Sequence, residues 1–388
     1  MFRFIRECVV LVAACFYTLL VQAQDFEAIK RAAERGDAAA QCSIGGMYLE
    51  GHGVAQNDAE AVKWWRKAAE QGYASAQHSL ATMYISDRGV VRDDAEAVKW
   101  WRKAAEQGDT LAQYNLGISY AFGRGVGQND AEAVKWWRKA AEQGHAEAQN
   151  NLGARYEKGQ GLPQNYGEAM KWFQKAAEQG LAIAQFNLAQ MYYTGQGVVQ
   201  DFVEAAKWYQ KAAEQEYAKA QFFLGTMYGE GKGVAQSDAE AVKWYARAAK
   251  QGDAAAQTNL GSQYRNGRGL PQNYAEAVKW FQKAAEQEDM IACYNLGEMY
   301  EEGEGVPRND REAMKWYCKA MELGFMKLFS HFAELGDAEA QHTLGLIYGK
   351  GQCVPKDPAA ALEWYQKAAE QGHEGAKQAL EALKISSQ

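Results

Sequence analysis

The sequence predicts an all-α array of about nine helix–turn–helix repeats, each 36 residues long. Three observations lead there. Lys-Trp recurs at 63, 99, 135, 171, 207, 243, 279 and 315, a constant step of 36, and Glu363-Trp364 makes a ninth copy 48 residues after Trp316. The string AEAVKWWRKAAEQG stands unchanged at 59–72, 95–108 and 131–144. A glycine-bearing turn precedes each copy, as Gly51-His52-Gly53-Val54 does in the first. Self-similarity at this period marks stacked supersecondary units, none of which can bury its apolar face alone.

Within a repeat, the run Ala39 to Tyr48 reads as a first helix (A) and Asn57 to Gln71 as a second (B). Asn57 and its counterparts Asp93, Asn129, Asn165, Asp201, Ser237, Asn273, Asn309 and Asp357 can each cap the first turn of helix B. Glu stands three residues later in every repeat but the last, which predicts a reciprocal capping box. Pro358 suits the first helical position of the ninth copy. Gly72 and its equivalents end helix B as left-handed caps, with Glu216 and Glu288 the two exceptions. On helix B, Ala61, Trp64 and Ala68 share a face with Val62, Trp65 and Ala69 beside them, whereas Lys63, Arg66, Lys67 and Glu70 take the other. Small residues opposite large rings let helices approach closely. The tryptophans therefore read as packing between repeats, since a ligand cage would be one site and not nine.

The N-terminus departs from the pattern. Arg3 and Arg6 precede an apolar run that ends at Val21-Gln22-Ala23, the form of a secretory signal cleaved after Ala23. The run is about 14 residues, short of the roughly 20 that a membrane span needs. Val12-Ala13-Ala14-Cys15 also resembles a lipobox, which would lipidate Cys15, but the apolar run continues well past it. The expected location is periplasmic or secreted. Net charge is −7 with no cluster of Lys and Arg, which excludes a phosphate-binding face for nucleic acid.

The pattern A-Q-x-x-L-G-x-x-Y-x-x-G-x-G-V followed by D/N-x-x-E-A-x-x-W-x-x-K-A-A resembles the Sel1-like repeat, a relative of the tetratricopeptide repeat. Leu116-Gly117 and Tyr120 match its helix A core. The resemblance implies a right-handed α-solenoid whose A helices line a concave surface, and an adaptor in protein complexes with no catalytic residue to carry over. Boundaries follow: a signal peptide at 1–23, a capping half-repeat at 24–36, repeats 1–8 at 37–324, an inserted half-helix at 325–336, repeat 9 at 337–372 and a C-terminal cap at 373–388. By resemblance to tetratricopeptide units, the concave slots hold Leu111, Tyr114, Ile118 and Phe122 in repeat 3, and Ile183, Phe186, Gln190 and Tyr193 in repeat 5. Repeat 6 offers Phe222 with Phe223, and repeat 8 offers Ile291, Tyr294, Glu298, Glu301 and Glu302. Repeat 4 is polar there, with Glu147, Asn150, Glu157 and Lys158. The partner-binding candidates are Leu111, Tyr114, Phe122, Ile183, Phe186, Tyr193, Phe222 and Tyr294, since Tyr and Phe give buried area at low entropic cost. The alternative is that these rings pack between successive A helices. The insertion aligns K-L-F-S-H-F-A-E-L-G with the end of the preceding helix B; its Phe325, Leu328, Phe329 and Phe332 either fill a wedge between repeats 8 and 9 or form a second docking patch.

Motifs for chemistry are missing. Gly-x-Gly sits between helices and not after a strand, so the dinucleotide reading fails. The six histidines (52, 78, 145, 331, 342 and 373) show no pair at metal-ligand spacing within a helix, so no metal and no cofactor is expected. Past the leader, Cys42, Cys293, Cys318 and Cys353 are too scattered for a disulfide framework. Cys293 and Cys318 lie about equally far from one hairpin turn, and a bridge there needs Cα atoms within about 7 Å; otherwise they are free thiols. Cysteine-rich secreted proteins of the same resemblance have been linked with penicillin binding and weak β-lactamase activity. Their pairing of cysteines eight residues apart is lacking here, where Glu34 and Ala285 stand eight before Cys42 and Cys293. The expected function is non-catalytic binding of a protein or peptide by a monomer, with a small-molecule binder or weak hydrolase, or a self-assembling envelope protein, as alternatives.

Overall fold

The computed structural model describes residues 26–351 and 353–386, so the signal-peptide reading lies outside the described residues. Every described element is a helix or a turn. Contacts divide the chain into two compact halves at residue 200. In the first half, α1 (26–34) precedes α2 (Ala38–Glu50), α3 (Asp58–Glu70), α4 (Ala74–Ser86), α5 (Asp94–Glu106), α6 (Thr110–Phe122), α7 (Asp130–Glu142), α8 (Ala146–Lys158), α9 (Tyr166–Glu178) and α10 (Ala182–Thr194). The second half holds α11 (Phe202–Glu214), α12 (Ala218–Glu230), α13 (Asp238–Lys250), α14 (Ala254–Asn266), α15 (Tyr274–Glu286) and α16 (Met290–Glu302). It continues with α17 (Asp310–Glu322), α18 (Phe325–Glu334), α19 (Ala338–Lys350), α20 (Pro358–Glu370) and α21 (Glu374–Ser386). Within each half, each A helix packs on the B helix that follows it and each B helix on the next A helix, except that the inserted α18 stands between α17 and α19.

All nine B helices start at the expected cap, whose side chain accepts a backbone N–H from the first turn. The reciprocal half of the capping box does not form. The Asn57 N–H is taken by the Tyr48 carbonyl at 2.8 Å, and Glu60 turns outward to Lys63 at 2.5 Å. Seven other repeats repeat the Glu–Lys pair, among them Glu132–Lys135 and Glu168–Lys171. These pairs are solvated and contribute little. The left-handed cap after helix B persists where glycine is missing, for Glu216 and Glu288 adopt φ 61° and 63°.

The two aromatic positions on helix B do different work. The second ring packs inside its own hairpin, on the glycine of helix A. A Cβ added to Gly45 would stand 2.6 Å from Trp65, and one on Gly117 2.5 Å from Trp137; Gly153, Gly225, Gly261, Gly297 and Gly345 meet Phe173, Tyr245, Phe281, Tyr317 and Tyr365 in the same way. Trp65 and Trp137 then donate their indole N–H to the Cys42 and Tyr114 carbonyls. Repeat 2 has Ala81 in the glycine slot, and the Trp101 N–H is buried without a partner. The first, invariant Trp packs backward: Trp64 joins Phe26 and Ala33 of α1 in one cluster. Its outer face is covered by the cation three residues on, at 3.8 to 5.4 Å from the ring centroid in all nine repeats. Lys67 is thus not on the opposite face, as its charge suggested, but lies over Trp64.

A glutamine ladder joins the repeats. Gln41 donates to the Ala33 carbonyl in the last turn of α1 and accepts from Gln71 at the end of α3. Gln77 with Gln107, Gln113 with Gln143, and Gln149 with Gln179 continue it in the first half; Gln221 with Gln251 and Gln257 with Gln287 do so in the second. Each buried amide donates to a helix C-terminal carbonyl that also accepts a backbone N–H from the capping turn, as Ala69 does from Gly72, so the ladder satisfies the glutamine's own buried amide and uses the carbonyl's second lone pair. In repeat 8 both members are missing, with Cys293 and Leu323 in their slots, and the Lys319 ammonium reaches the Ala285 carbonyl at 3.0 Å instead. The ladder resumes when Gln341 donates to the Ala333 carbonyl of α18 and accepts from Gln371.

Helix α18 therefore supplies repeat 9 with the B-helix surface it needs. Phe325 is 1% exposed and stacked on Tyr294 at 4.4 Å and Phe329 at 4.2 Å, so it belongs to the core and not to a docking patch. Phe332 is 44% exposed, the side of α18 that faces water. The cysteines also differ from expectation. Cys318 bonds to Cys353, with Cα atoms 5.1 Å apart, while Cys293 is free, buried and pushed up to about 11 by that burial. Cys353 occupies the second loop-glycine slot and keeps its left-handed backbone, φ 58°.

Three outcomes follow. Gly46 has open space at its Cβ, so Gly46→Ala should stabilise by about 0.5–1 kcal/mol through helix propensity, whereas Gly117→Ala should destabilise by about 1–3 kcal/mol through overpacking; urea unfolding compares them. Glu288→Gly should add roughly 1 kcal/mol by removing a left-handed non-glycine residue. Glu216→Gly should add less, because Glu216 pairs with Arg247 and accepts from Gln221. Cys318→Ser should cost about 3–4 kcal/mol by opening a loop of 35 residues, read as a lower denaturant midpoint for the C-terminal repeats.

Candidate partner-binding site

On the A-helix face, the slot one residue after the ladder glutamine is largely committed to packing. Tyr114 stacks on His145, the cap of α8, at 4.5 Å; Tyr294 stacks on Phe325 at 4.4 Å; His342 stacks on His373 at 4.4 Å. In each case the side chain of one repeat rests on the residue that opens the helix following that repeat: α8, the inserted α18 or α21. Tyr294 also lies 5.3 Å from Tyr317, and burial pushes both hydroxyls up. Phe222 is half-buried, 6.0 Å from Tyr245. Phe186 and Tyr193 are half-buried as well. The apolar candidates that face water are Leu111 at 50%, Phe122 at 65% and Ile183 at 40% exposed.

One of those three, Phe122, lines a cleft of about 280 Å³ between α6 and α8. Tyr114, Ile118 and Phe122 form one wall, and Asn151, Arg155 and Lys158 the other. Arg155 is fixed by Asp130 at 3.0 Å and Gln160 at 2.7 Å, with its guanidinium 5.2 Å from the Trp137 ring. Lys158 has no ion pair among the described residues, and Arg124 lies over the Phe122 ring at 5.4 Å. Burial raises the Glu157 carboxyl, with Lys158 pulling it back. The result is an aromatic cleft with a cationic rim. Arg155 is the residue that sequence reasoning missed: it stands where Met47, Met83, Ser119 and Met191 stand in other repeats of this half, and comparing repeats slot by slot could have found it. A larger cleft of about 490 Å³ lies on the B-helix side, around Trp64, Lys67 and Val90. Its residues belong to the Trp–Lys stack that every repeat has, which makes it the less informative of the two.

In the second half two of the three acidic candidates, Glu298 and Glu301, are neutralised internally, while Glu302 is exposed. Arg265 binds Glu298 at 2.5 Å and Glu304 at 2.8 Å, and Glu301 binds Lys350 and the Tyr317 hydroxyl, both at 2.7 Å. Burial opposes the Arg265 charge, but the two carboxylates more than offset it and its pKa rises. Burial holds the Glu298 carboxyl above the usual range despite Arg265. The histidines give the clearest departure from expectation: His342 and His373, 31 residues apart in sequence, come together with Glu339 as a group of potential metal donors. No described helix is long and apolar enough to cross a membrane.

A family model for the Sel1 repeat matches residues 38–73, 74–109, 110–145, 146–181, 182–217, 218–253, 254–289, 291–325 and 338–373. No curated protein matches the chain. Among solved structures, it is similar to a protective antigen with an SLR fold present in uropathogenic Escherichia coli strains. Identity is 36%, covering 90% of this chain and 80% of that one, with a TM-score of 0.78. It is also similar to a Sel1 repeat protein from Oxalobacter formigenes at 34% identity, covering 79% of this chain and 90% of that one, with a TM-score of 0.61. Sel1 repeat proteins generally mediate protein–protein interaction and are typically non-catalytic scaffolds. Nine matched repeats, seven of them with the ring-on-glycine hairpin, make this chain a member of the Sel1 repeat family, an all-helical α-solenoid fold.

Proposed function

We propose that the chain is an exported, non-catalytic adaptor that takes a protein partner on its A-helix face, anchored at the cleft between repeats 3 and 4. One observation carries this reading: in an array whose other rings are mostly spent on packing, Phe122 stands in water and lines a cleft with Arg155 and Lys158, with Arg124 over its ring. Such a surface suits a segment with an apolar anchor followed by a carboxylate, since the anchor supplies area and the rim supplies register. Export is supported by the N-terminal Arg3–Ala23 segment and by the Cys318–Cys353 bond, which persists in an oxidising compartment. Similarity to a protein described as a protective antigen agrees with that location.

A photo-crosslinking residue placed at Phe122 should capture one partner from the native envelope or medium, and Lys158→Glu should reduce that capture at least tenfold, about the effect of losing 1.4 kcal/mol. The same residue placed at Lys63, on the B-helix side, should capture none. Equal capture from both positions, or capture from Lys63 alone, would reject the A-helix face as the binding surface.

A further inference from the structure

We propose that Glu339, His342 and His373 form a site for a divalent transition-metal ion of the zinc type, at the junction between the last repeat and the terminal helix. Glu339 and His342 are one turn apart on α19 and share a face. His373 opens α21; its ring lies 4.4 Å from that of His342, and its Nε2 is 3.0 Å from a Glu339 oxygen. One donor atom from each residue lies within 4.8 Å of the other two. Tetrahedral zinc with bonds of about 2.0 Å places donors about 3.3 Å apart, so one edge already has that length and the His342 nitrogen needs only a small rotation. Glu339 faces solvent, which leaves a fourth position for water.

Packing alone does not account for this composition. The same three slots hold Leu111, Tyr114 and His145 in repeat 3 and Ile291, Tyr294 and Phe325 in repeat 8, where flat rings stack at 4.5 and 4.4 Å with an apolar residue beside them. Stacking therefore needs a ring, not a nitrogen. Of the nine equivalent triplets, the last alone has a metal-binding group in all three slots.

The site has a built-in competitor. His373 Nδ1 accepts the Ala376 N–H at 3.2 Å, so the neutral ring carries its proton on Nε2 and donates it to Glu339. A metal at Nε2 displaces that proton to Nδ1 through solvent and gives up the cap on α21. Capping and metal binding thus use alternative tautomers of one residue, and they can be separated by mutation: His373→Asn keeps a capping side chain and removes the donor, and His342→Phe keeps the stack and removes the other nitrogen.

Calorimetric titration of the full, chelator-treated chain with zinc chloride should show one saturable equivalent. Cobalt(II) should give the visible d–d bands of a tetrahedral site. Glu339→Gln, His342→Phe and His373→Asn should each weaken binding at least tenfold while metal-free circular dichroism stays that of wild type. No saturable zinc binding by the wild type, or unchanged affinity in His342→Phe and His373→Asn, would overturn the proposal and leave the three side chains as an inter-repeat contact.

Discussion

The close approach of helix B to helix A, set by an aromatic ring lying flat on a helical glycine, is the constraint from which the rest of each repeat follows. With Gly117 a Cβ short, Trp137 can sink until its indole N–H reaches the Tyr114 carbonyl. That depth turns the neighbouring Trp136 outward from the hairpin, toward the preceding repeat, where it joins a core that includes Ala104 and Leu116. It also leaves Gln113 buried within reach of the Ala105 carbonyl behind it and Gln143 ahead. Packing of this kind tolerates Trp, Tyr or Phe, because all three present a flat face, but it penalises any branching in the glycine slot. Repeat 2 shows the consequence: with Ala81 there, Trp101 remains buried but its N–H goes unsatisfied.

Repeats 8 and 9 show what happens when the ladder is interrupted. Cys293 and Leu323 remove both glutamines, and Lys319 crosses to the Ala285 carbonyl in their place; its distance from the Trp316 ring, 5.4 Å, is the longest of the nine. Helix α18 then offers a fresh carbonyl, at Ala333, on which Gln341 restarts the ladder. In the regular repeats the second loop glycine presses against the first turn of the preceding helix B, as Gly125 does on Asp94. Repeat 9 has Cys353 in that slot, joined to Cys318 of α17. A covalent contact stands where a close backbone contact stands elsewhere, which keeps repeat 9 tied to repeat 8 across the inserted helix.

Regularity also sharpens the reading of the surface. Where nine copies share one solution, a ring that stacks on the next repeat is architecture even when half of it is visible. Tyr114 is of that kind, and it walls the cleft only with its exposed edge. Leu111, Phe122, Arg155 and Lys158 are not explained by any repeated contact.

The sequence by itself determined the helices, their caps and their period, because those depend on local chemistry: an Asn or Asp can cap a helix whatever surrounds it, and a 36-residue step survives any choice of partner. It also held the glutamines and the Trp–Lys spacing in plain view, though their roles depend on which carbonyl or ring lies opposite. Only the tertiary structure decided the contacts between residues distant in the chain. It paired Cys318 with Cys353 and not with Cys293, sent Glu60 to Lys63 after the Tyr48 carbonyl had taken the cap's N–H, buried Phe325, and brought His373 onto His342. The capping contact depends on how the two helices of one repeat fold together, and the others on how one repeat is rotated and offset against the next. That offset comes from side-chain volumes at the interface, which no spacing along the chain records.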